Sequence, residues 1–299
     1  MKVLVTGGGG FIGAWIVRRL AEAGLSPVVF DLRDDRSKIV EIGGEALGAA
    51  LEWHAGDIAD SDAVTRAGEG CEAVVHLAGL LTPACRADPV LGARVNLIGT
   101  LNAFLAARTH GMKSVVYMSS AGVFGPDGSE EPRPTTLYGA FKLASEHSAR
   151  AFFEDDGIGS IGFRPFVVYG PGRDGGLSAG PSLACRAAAR GEAYTIPFSG
   201  RFDIIHADDV AAVFVQAVNA DPEGAHVVNL VGRQADTDDV IAAIEKAAPG
   251  ARIDAAGPPM PIQSPARDET LERMFPQWSV RSLERGVAET IAFYTNASA

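Results

Sequence analysis

The feature that most constrains the fold of this chain is a run of glycines near its N-terminus, placed between a strand-like and a helix-like segment. Residues 2–6 are apolar and rich in β-branched side chains, which is typical of a buried strand. Residues 7–10 are glycines, and apolar side chains then recur at helical spacing over residues 11–23, up to Gly24. A strand that turns through glycines into a helix predicts the first unit of a parallel sheet covered by helices.

The same alternation continues through the first half of the chain. The apolar pattern predicts strands at 27–31, 51–55, 73–77, 114–118 and 160–164, and helices at 88–109 and 137–155. Alternating elements of this kind favour an α/β fold with a doubly wound parallel sheet, a Rossmann sheet, which binds its ligands at the carboxyl ends of the strands. We therefore expect the informative residues directly after strands.

The second half of the chain has a different composition and a less regular pattern. Residues 165–181 are rich in glycine and proline and predict a long loop, followed by helices at 182–191, 207–219, 237–247 and 282–295 and a strand at 226–231. We therefore predict a nucleotide-binding Rossmann domain at 1–164. Residues 165–299 are predicted to form mainly a small C-terminal substrate-binding subdomain, interleaved with the sheet.

Composition excludes several classes of partner. The formal net charge of −11 would repel phosphate backbones, so we expect no nucleic-acid partner. Cys71, Cys85 and Cys185 lack a CxxC spacing and the histidines are scattered, so we expect neither a disulfide framework nor a metal site. No signal peptide precedes the first strand and no apolar stretch is expected to approach a membrane span, which together predict a cytoplasmic protein without a membrane partner.

The glycines at the first turn have the spacing of a dinucleotide site. Gly7 permits the tight turn, Gly10 lets the backbone approach a pyrophosphate, and Gly13 lets the helix pack closely on the strand. The N-terminus of the helix offers free N–H groups and a positive dipole end to the phosphates.

An acidic residue, Asp31, ends the second strand. A carboxylate there accepts both adenosine ribose hydroxyls and repels a 2′-phosphate, which favours NAD over NADP, although Arg33 and Arg36 could blunt that preference. Asp57 and Ile58 follow the third strand, where they could border the adenine or simply cap the next helix.

A tyrosine and a lysine share one face of a predicted helix. Tyr138 and Lys142 have a YxxxK spacing, and residues four apart on a helix point to the same side. A nearby cation stabilises a phenolate and lowers the pKa of the phenol, which makes tyrosine usable as an acid or base. Ser120 follows the fifth strand, where its hydroxyl could hydrogen-bond a substrate oxygen.

Taken in order, these motifs resemble the extended short-chain dehydrogenase/reductase family, also called the NAD-dependent epimerase/dehydratase family, over nearly the whole chain. The matching segments are TGGGGFIG at 6–13, the acid at 31, DI at 57–58, HLAG at 76–79, Asn96, MSSAGVFG at 118–125, YGAFK at 138–142, RPFVVYGPGR at 164–173 and DIIHADDVA at 203–211. The resemblance implies that Tyr138 is the general acid/base, that Lys142 binds the nicotinamide ribose and tunes the tyrosine, and that Ser120 polarises the substrate oxygen. It implies cofactor binding by Gly7, Gly10, Phe11, Ile12, Gly13, Asp31, Asp57, Ile58, Leu77, Ala78, Gly79, Asn96 and Lys142.

Two positions depart from relatives that bind nucleotide-diphosphate sugars. Val167 stands where such relatives usually carry an asparagine, and Phe202 where they often carry an arginine, with Arg201 one residue earlier. Losing both donors leaves a poor site for a buried diphosphate, although Arg173, Arg186 or Arg201 could compensate. Residues 80–86 follow the fourth strand and predict a mostly apolar loop at the substrate. We expect the substrate to be bordered by Leu81, Thr82, Ser120 and Phe166. Arg173 is the candidate for holding a carboxylate or phosphate.

The first hypothesis is an NAD-dependent oxidoreductase that moves a hydride between the nicotinamide and a hydroxyl or carbonyl of a small polyol, sugar or sugar-acid-like substrate. The alternative is a nucleotide-diphosphate-sugar epimerase or dehydratase with tightly bound NAD. A third hypothesis is a non-catalytic NAD(P)-sensing protein, although such relatives usually lose the tyrosine or lysine that this chain keeps. The resemblance also implies a homodimer formed by the helices predicted at 88–109 and 137–155.

Overall fold

A seven-stranded parallel sheet forms the centre of the molecule. The computed structural model describes residues 1–126, 131–260 and 269–297. The strands of the main sheet are β1 (Lys2–Thr6), β2 (Ser26–Asp31), β3 (Glu52–Ala55), β4 (Ala73–His76), β5 (Ser114–Met118), β6 (Ser160–Pro165) and β10 (Ala225–Leu230). Their order is β10-β6-β5-β4-β1-β2-β3, and every neighbouring pair is parallel. The predicted doubly wound parallel sheet is confirmed.

Helices cover both faces of this sheet because successive residues of each strand point to opposite sides. Val3 and Val5 of β1 belong to one apolar cluster, while Leu4 between them belongs to another. The helices of the first half are α1 (Phe11–Glu22), α2 (Ser37–Gly43), α3 (Glu45–Ala50), α4 (Ser61–Ala67), α5 (Thr82–Ala87), α6 (Pro89–Ala93), α7 (Gly99–His110) and α8 (Leu137–Asp156). α2 and α3 fill the segment between β2 and β3, where the sequence pattern predicted nothing definite.

The predicted helix at 88–109 is observed, but it is not α-helical throughout. A π-helical turn, Arg94–Ile98, lies between α6 and α7. The prediction of a loop at 80–86 is wrong from Thr82 onward, where α5 begins. Asn96 lies within the π-helical turn, where its side chain donates to the carbonyl oxygens of Leu80 and Gly92 at 3.2 and 3.1 Å. The wider turn thus directs this amide toward the segment that follows β4.

Residues after 164 form further layers and also contribute to the main sheet through β10. The region predicted as a loop at 165–181 contains β7 (Val167–Tyr169), so the prediction is wrong at these residues. β7 pairs with β9 (Arg201–His206), which lies almost forty residues further along the chain, and a local pattern cannot show such a pairing. The remaining elements are α9 (Gly180–Ala189), β8 (Tyr194–Ile196), α10 (Ala207–Val218), β11 (Arg233–Asp236), α11 (Thr237–Ala247), β12 (Ile253–Ala255), α12 (Glu269–Met274) and α13 (Leu283–Ala297). The strands build two small sheets, β11-β9-β7 and β12-β8.

A buried charge network joins the segment before α13 to the rest of the fold. The guanidinium of Arg281 donates to Asp209 at 2.9 Å and to Asp208 at 2.7 Å, and Arg19 of α1 also donates to Asp208, at 2.6 Å. Hydrogen bonds from these arginines hold the pKa of Asp208 down to about 2 against the opposing effect of burial. Three distant parts of the chain therefore meet at the start of α10.

The expectation that no apolar stretch approaches a membrane span is wrong, because one helix meets the criteria of length and hydropathy for such a span. Residues Pro89–His110 form 22 helical residues, and their most apolar window has a mean hydropathy of 1.4. Half of that window is buried inside the fold, as in the core helix of a globular domain, so the stretch is weak support for a membrane span.

Candidate active site

Two adjoining cavities lie at the carboxyl ends of the main strands. The first, which we call the glycine groove, has a volume of about 460 Å³ and is bordered by Gly7, Gly10, Asp31, Asp57 and Ala78, among others. The second, the tyrosine cavity, has a volume of about 270 Å³ and is bordered by Ser120, Tyr138, Lys142, Phe166 and Arg173, among others. Leu77 and Gly79, directly after β4, border both. The two spaces thus share one wall.

The glycines fit the turn for steric reasons. Gly7 has a φ of +74°, and a Cβ on it would lie 2.6 Å from the backbone nitrogen of Ala78. A Cβ on Gly13 would lie 2.3 Å from the carbonyl oxygen of Gly7, so α1 packs directly on the turn. A Cβ on Gly10, in contrast, would meet only that same oxygen, at 3.3 Å, and would otherwise enter open space. Gly7 and Gly13 therefore serve the backbone, and Gly10 keeps the groove accessible.

The groove offers the donors that a dinucleotide needs. α1 begins after Gly10, which borders the groove, and no side chain caps the first N–H groups of this helix. The carboxylate of Asp31 borders the groove and accepts hydrogen bonds from Gly9 and Leu32 at 2.9 and 2.7 Å. Asp57 and Ile58 also border it. An uncapped helix terminus, an open glycine and an acid at the end of β2 fit a pyrophosphate and a ribose.

The predicted catalytic side chains come together in the tyrosine cavity. Tyr138 is the second residue of α8, whose N-terminus is capped by Thr136 through a 3.1 Å hydrogen bond to Gly139 N–H. The Ser120 hydroxyl lies close enough to the Tyr138 phenol to act on its pKa, and it accepts from Gly122 N–H at 3.0 Å. Lys142 lies one turn further along α8, and its Nζ is 5.8 Å from the centre of the Tyr138 ring.

Burial acts on both titrating groups. Desolvation raises the pKa of Tyr138, while the hydrogen bond from Ser120 and the positive charge of Arg173 oppose that rise. Desolvation lowers the pKa of Lys142 to about 8, although its Nζ donates to Met118 O at 2.7 Å. The lysine therefore still carries its charge at neutral pH, and it does so next to the phenol.

A third buried group on α8, Glu146, was missed from the sequence. Its carboxylate accepts two hydrogen bonds from Arg164 of β6, at 2.7 and 2.5 Å, and a third from the hydroxyl of Ser119. The group thereby connects α8 with the ends of β5 and β6. The available signal was spacing, since Glu146 follows Lys142 by one helical turn, as Lys142 follows Tyr138.

The structure separates the remaining predicted residues into those that border a cavity and those that do not. Residues that border a cavity are Ile12, Leu77, Ala78, Gly79, Leu81, Thr82, Phe166 and Arg173, and Leu177 and Met260 join them without having been predicted. Asn96 is fully buried and borders neither cavity, and its amide oxygen accepts from Leu80 N–H at 3.2 Å. Its assignment to the cofactor stays a prediction.

Val167 and Phe202, the two departures from the sugar-nucleotide pattern, are buried in the apolar core around β7 and β9. They contribute packing at positions where a polar side chain was expected of a diphosphate site.

Phe11 begins α1, and the guanidinium carbon of Arg173 lies over its ring, 5.7 Å from the ring centre. His206 accepts from Asp208 N–H at 3.1 Å and so caps α10.

Comparison with known proteins agrees with this geometry. Residues 3–230 match the model of the NAD dependent epimerase/dehydratase family. A UDP-glucose 4-epimerase of Mycolicibacterium smegmatis is 29% identical over 100% of both chains. A 2-alkyl-3-oxoalkanoate reductase of Stenotrophomonas maltophilia is 31% identical over 75% of this chain and 67% of its own.

Among solved structures, the UDP-glucose 4-epimerase of Thermus thermophilus, in complex with NAD, superposes with a TM-score of 0.82. It is 27% identical and the match covers 99% of this chain and 100% of that one. The likeness therefore extends over the main sheet and the segments that border both cavities. This chain belongs to the NAD-dependent epimerase/dehydratase family and is an enzyme of the short-chain dehydrogenase/reductase type.

Proposed function

We propose that this enzyme is an NAD-dependent dehydrogenase or reductase that interconverts an alcohol and a carbonyl on a small polyol, sugar or sugar-acid-like substrate. The observation that carries the proposal is the Ser120–Tyr138 pair in a cavity of about 270 Å³ that shares Leu77 and Gly79 with the glycine groove. That volume is slightly below the range of roughly 300–1,000 Å³ that is usual for pockets of drug-sized ligands. A small substrate fits such a space better than a nucleotide sugar.

Each residue of the tyrosine cavity has a separate role in this reaction. A bound nicotinamide supplies the hydride exchange with the substrate carbon. Tyr138 takes the proton from the substrate hydroxyl during oxidation and returns it during reduction, and Ser120 orients the substrate oxygen toward the phenol. Lys142 places a positive charge on the same face of α8, which stabilises the phenolate form of Tyr138.

NAD is the preferred cofactor in this proposal because Asp31 borders the groove at the end of β2. A ratio of kcat/KM that favours NAD over NADP, and that falls in Asp31→Asn, would support this preference. Equal use of both cofactors by the unaltered enzyme would contradict it.

The test of the function is NADH formation against a panel of polyols, aldoses, sugar acids and nucleotide-diphosphate sugars. We expect one non-nucleotide substrate to produce free NADH, and Tyr138→Phe to reduce that turnover by at least about a hundredfold. Tyr194→Phe is the matched control, because Tyr194 lies in β8 and borders no part of the tyrosine cavity. Full turnover by Tyr138→Phe would overturn the proposal.

The second candidate is a sugar-nucleotide epimerase or dehydratase, and the names of the epimerase relatives favour it. An enzyme of that kind would copurify with NAD, change a nucleotide-sugar product and form no net NADH. Burial of Val167 and Phe202 in the core argues for the first candidate, because neither position can present a donor to a diphosphate.

We also propose a homodimer that forms through α6, α7 and α8. Val90, Leu91, Ile98 and Leu137 are large apolar side chains on this side of the molecule, and each is at least 40% exposed. Phe104, by contrast, is fully buried against the sheet and is unavailable to a partner. Light scattering that gives the monomer mass would contradict the dimer.

The proposed setting is the cytoplasm, without a nucleic-acid or membrane partner. The net charge of −11 and the three free, buried thiols support it. Fractionation of the producing cell would test it, and recovery of the protein with membranes would contradict it.

A further inference from the structure

The charge of the tyrosine cavity differs from that of the whole chain. The formal net charge of the protein is −11. Yet the described residues that border the cavity include the cations Lys142 and Arg173 and no carboxylate. Lys142 has a role toward the tyrosine and the cofactor. Arg173 is a second positive charge, which also opposes the rise in the pKa of Tyr138.

Arg173 is held so that its charge stays in the cavity. Its guanidinium donates to the carbonyl oxygen of Val168, and to Ser178 Oγ at 2.9 Å, while its plane lies near the Phe11 ring. These contacts use two of its five N–H groups and neutralise no charge. The described ion pairs include none to Arg173.

The adjacent carboxylate is engaged elsewhere. Asp174 forms ion pairs with Lys38 of α2 and, at 3.0 Å, with Arg186 of α9. Burial lowers the pKa of Arg173 to about 10, so the group remains charged at neutral pH. Arg173 is half-buried, and a partly desolvated cation without a counterion is costly, so an anionic ligand would remove that cost.

We propose that Arg173 is an anion subsite that selects substrates carrying a carboxylate near the reacting carbinol. The guanidinium borders the same cavity as the Tyr138 phenol and lies close enough to act on it electrostatically. A planar fork binds a carboxylate through two parallel hydrogen bonds. Leu81, Phe166, Leu177 and Met260 provide an apolar border for the rest of a small molecule.

This inference rests on the proposed function and narrows it. The substrate is a hydroxy acid: its carbinol loses a hydride to NAD⁺ and a proton to Tyr138, giving an oxo acid, NADH and a proton that passes to solvent. The carboxylate itself does not react. The cofactor pyrophosphate is the other anion that a guanidinium could take, but Arg173 borders the tyrosine cavity and not the glycine groove.

The experiment compares acids with their neutral counterparts, using gluconate against sorbitol and 3-hydroxybutyrate against 1,3-butanediol. Turnover and equilibrium binding to the NAD-loaded enzyme are measured for the unaltered protein, Arg173→Gln, Arg173→Lys and the control Arg66→Gln. Arg66 lies in α4, is exposed and borders neither cavity. NAD affinity and thermal stability are measured on each variant, so that misfolding is recognised.

We expect the unaltered enzyme to prefer an acid, and Arg173→Gln to reduce the acid-to-neutral ratio by roughly ten- to a hundredfold, as for a charged hydrogen-bond pair. Arg173→Lys should recover part of the ratio, and Arg66→Gln should leave it unchanged. A preference for neutral alcohols, or an unchanged ratio in Arg173→Gln, would overturn the subsite while leaving the dehydrogenase intact. If Arg173→Gln lowered the affinity for NAD as much as the affinity for acids, Arg173 would belong to the cofactor site instead. If acids bind in a way that depends on Arg173 but no NADH forms, the proposed dehydrogenase function is wrong and the anion subsite stands.

Discussion

At the scale of single residues, the candidate active site has two buried groups of opposite charge on one helix. Lys142 is 3% exposed and Glu146 is 6% exposed, and they lie on neighbouring turns of one helix. The charge of Glu146 raises the pKa of Lys142, against the larger lowering by desolvation. The bidentate pair with Arg164 holds that carboxylate in place directly behind the active site.

Replacing Glu146 by glutamine should therefore be costly. Arg164 would lose its partner while remaining mostly buried, and breaking a buried pair on one side typically costs about 3–5 kcal/mol. Urea denaturation of Glu146→Gln measures the loss. Glu154→Gln serves as the control because Glu154 is an exposed acid of the same helix. Equal stabilities of the two variants would show that the pair contributes little.

The depressed pKa of Lys142 predicts a pH dependence of stability. The pKa is about 8 in the folded protein, against an ordinary value of 10.5. Between these values the unfolded chain binds more protons, so the free energy of unfolding rises with pH across this window. Relative to Lys142→Met, the cofactor-free wild type should gain up to roughly 3 kcal/mol as pH rises from 7 to 10.5. A difference that is flat with pH would mean that burial does not depress this lysine.

At the scale of elements, the turn between β1 and α1 is set by close approach as well as by backbone conformation. Gly7 and Gly24 have nearly the same positive φ, +74° and +76°. They differ in surroundings, because a Cβ on Gly7 would overlap the chain after β4, whereas a Cβ on Gly24 would meet nothing within 4 Å. The pair separates the two effects.

Gly24→Ala should cost only the left-handed conformation, roughly 1–2 kcal/mol. Gly7→Ala should cost at least about 2 kcal/mol more, because Ala78 must move, and it should also weaken NAD binding. Thermal unfolding and a fluorescence titration with NAD check both effects. If the two variants lost equal stability, the close contact between Gly7 and Ala78 would not contribute to the stability of the fold.

The elements also show what local sequence can and cannot predict. The strands of the nucleotide-binding half, Tyr138, Lys142 and the glycine turn were all predictable, because period, glycine position and helical spacing are local properties. β7 was missed because its pairing with β9 is non-local and its glycine-rich flank is typical of a loop. The π-helical turn at 94–98 was also missed, because its apolar periodicity differs little from that of an α-helix.

At the scale of the whole molecule, the exposed apolar residues of α6 and the π-helical turn define where a second copy would dock. Leu91→Glu combined with Ile98→Glu should convert the proposed dimer into a monomer, because buried like charges are strongly unfavourable at an interface. Ala242→Glu on the exposed side of α11 is the control. Masses from light scattering decide, and a double variant with an unchanged dimer mass would place the interface elsewhere.

The wall shared by the two cavities has a consequence for how specificity can be altered. Leu77 and Gly79 serve both spaces, and a Cβ on Gly79 would lie 2.7 Å from the Asn96 amide oxygen and 3.6 Å from Lys142 Nζ. Retargeting the enzyme from that side would disturb the redox partner and the substrate together. The opposite border, formed by Phe166, Arg173 and Leu177, belongs to the tyrosine cavity alone. Substitutions at Phe166 or Leu177 would therefore alter the substrate space without changing a residue that borders the glycine groove.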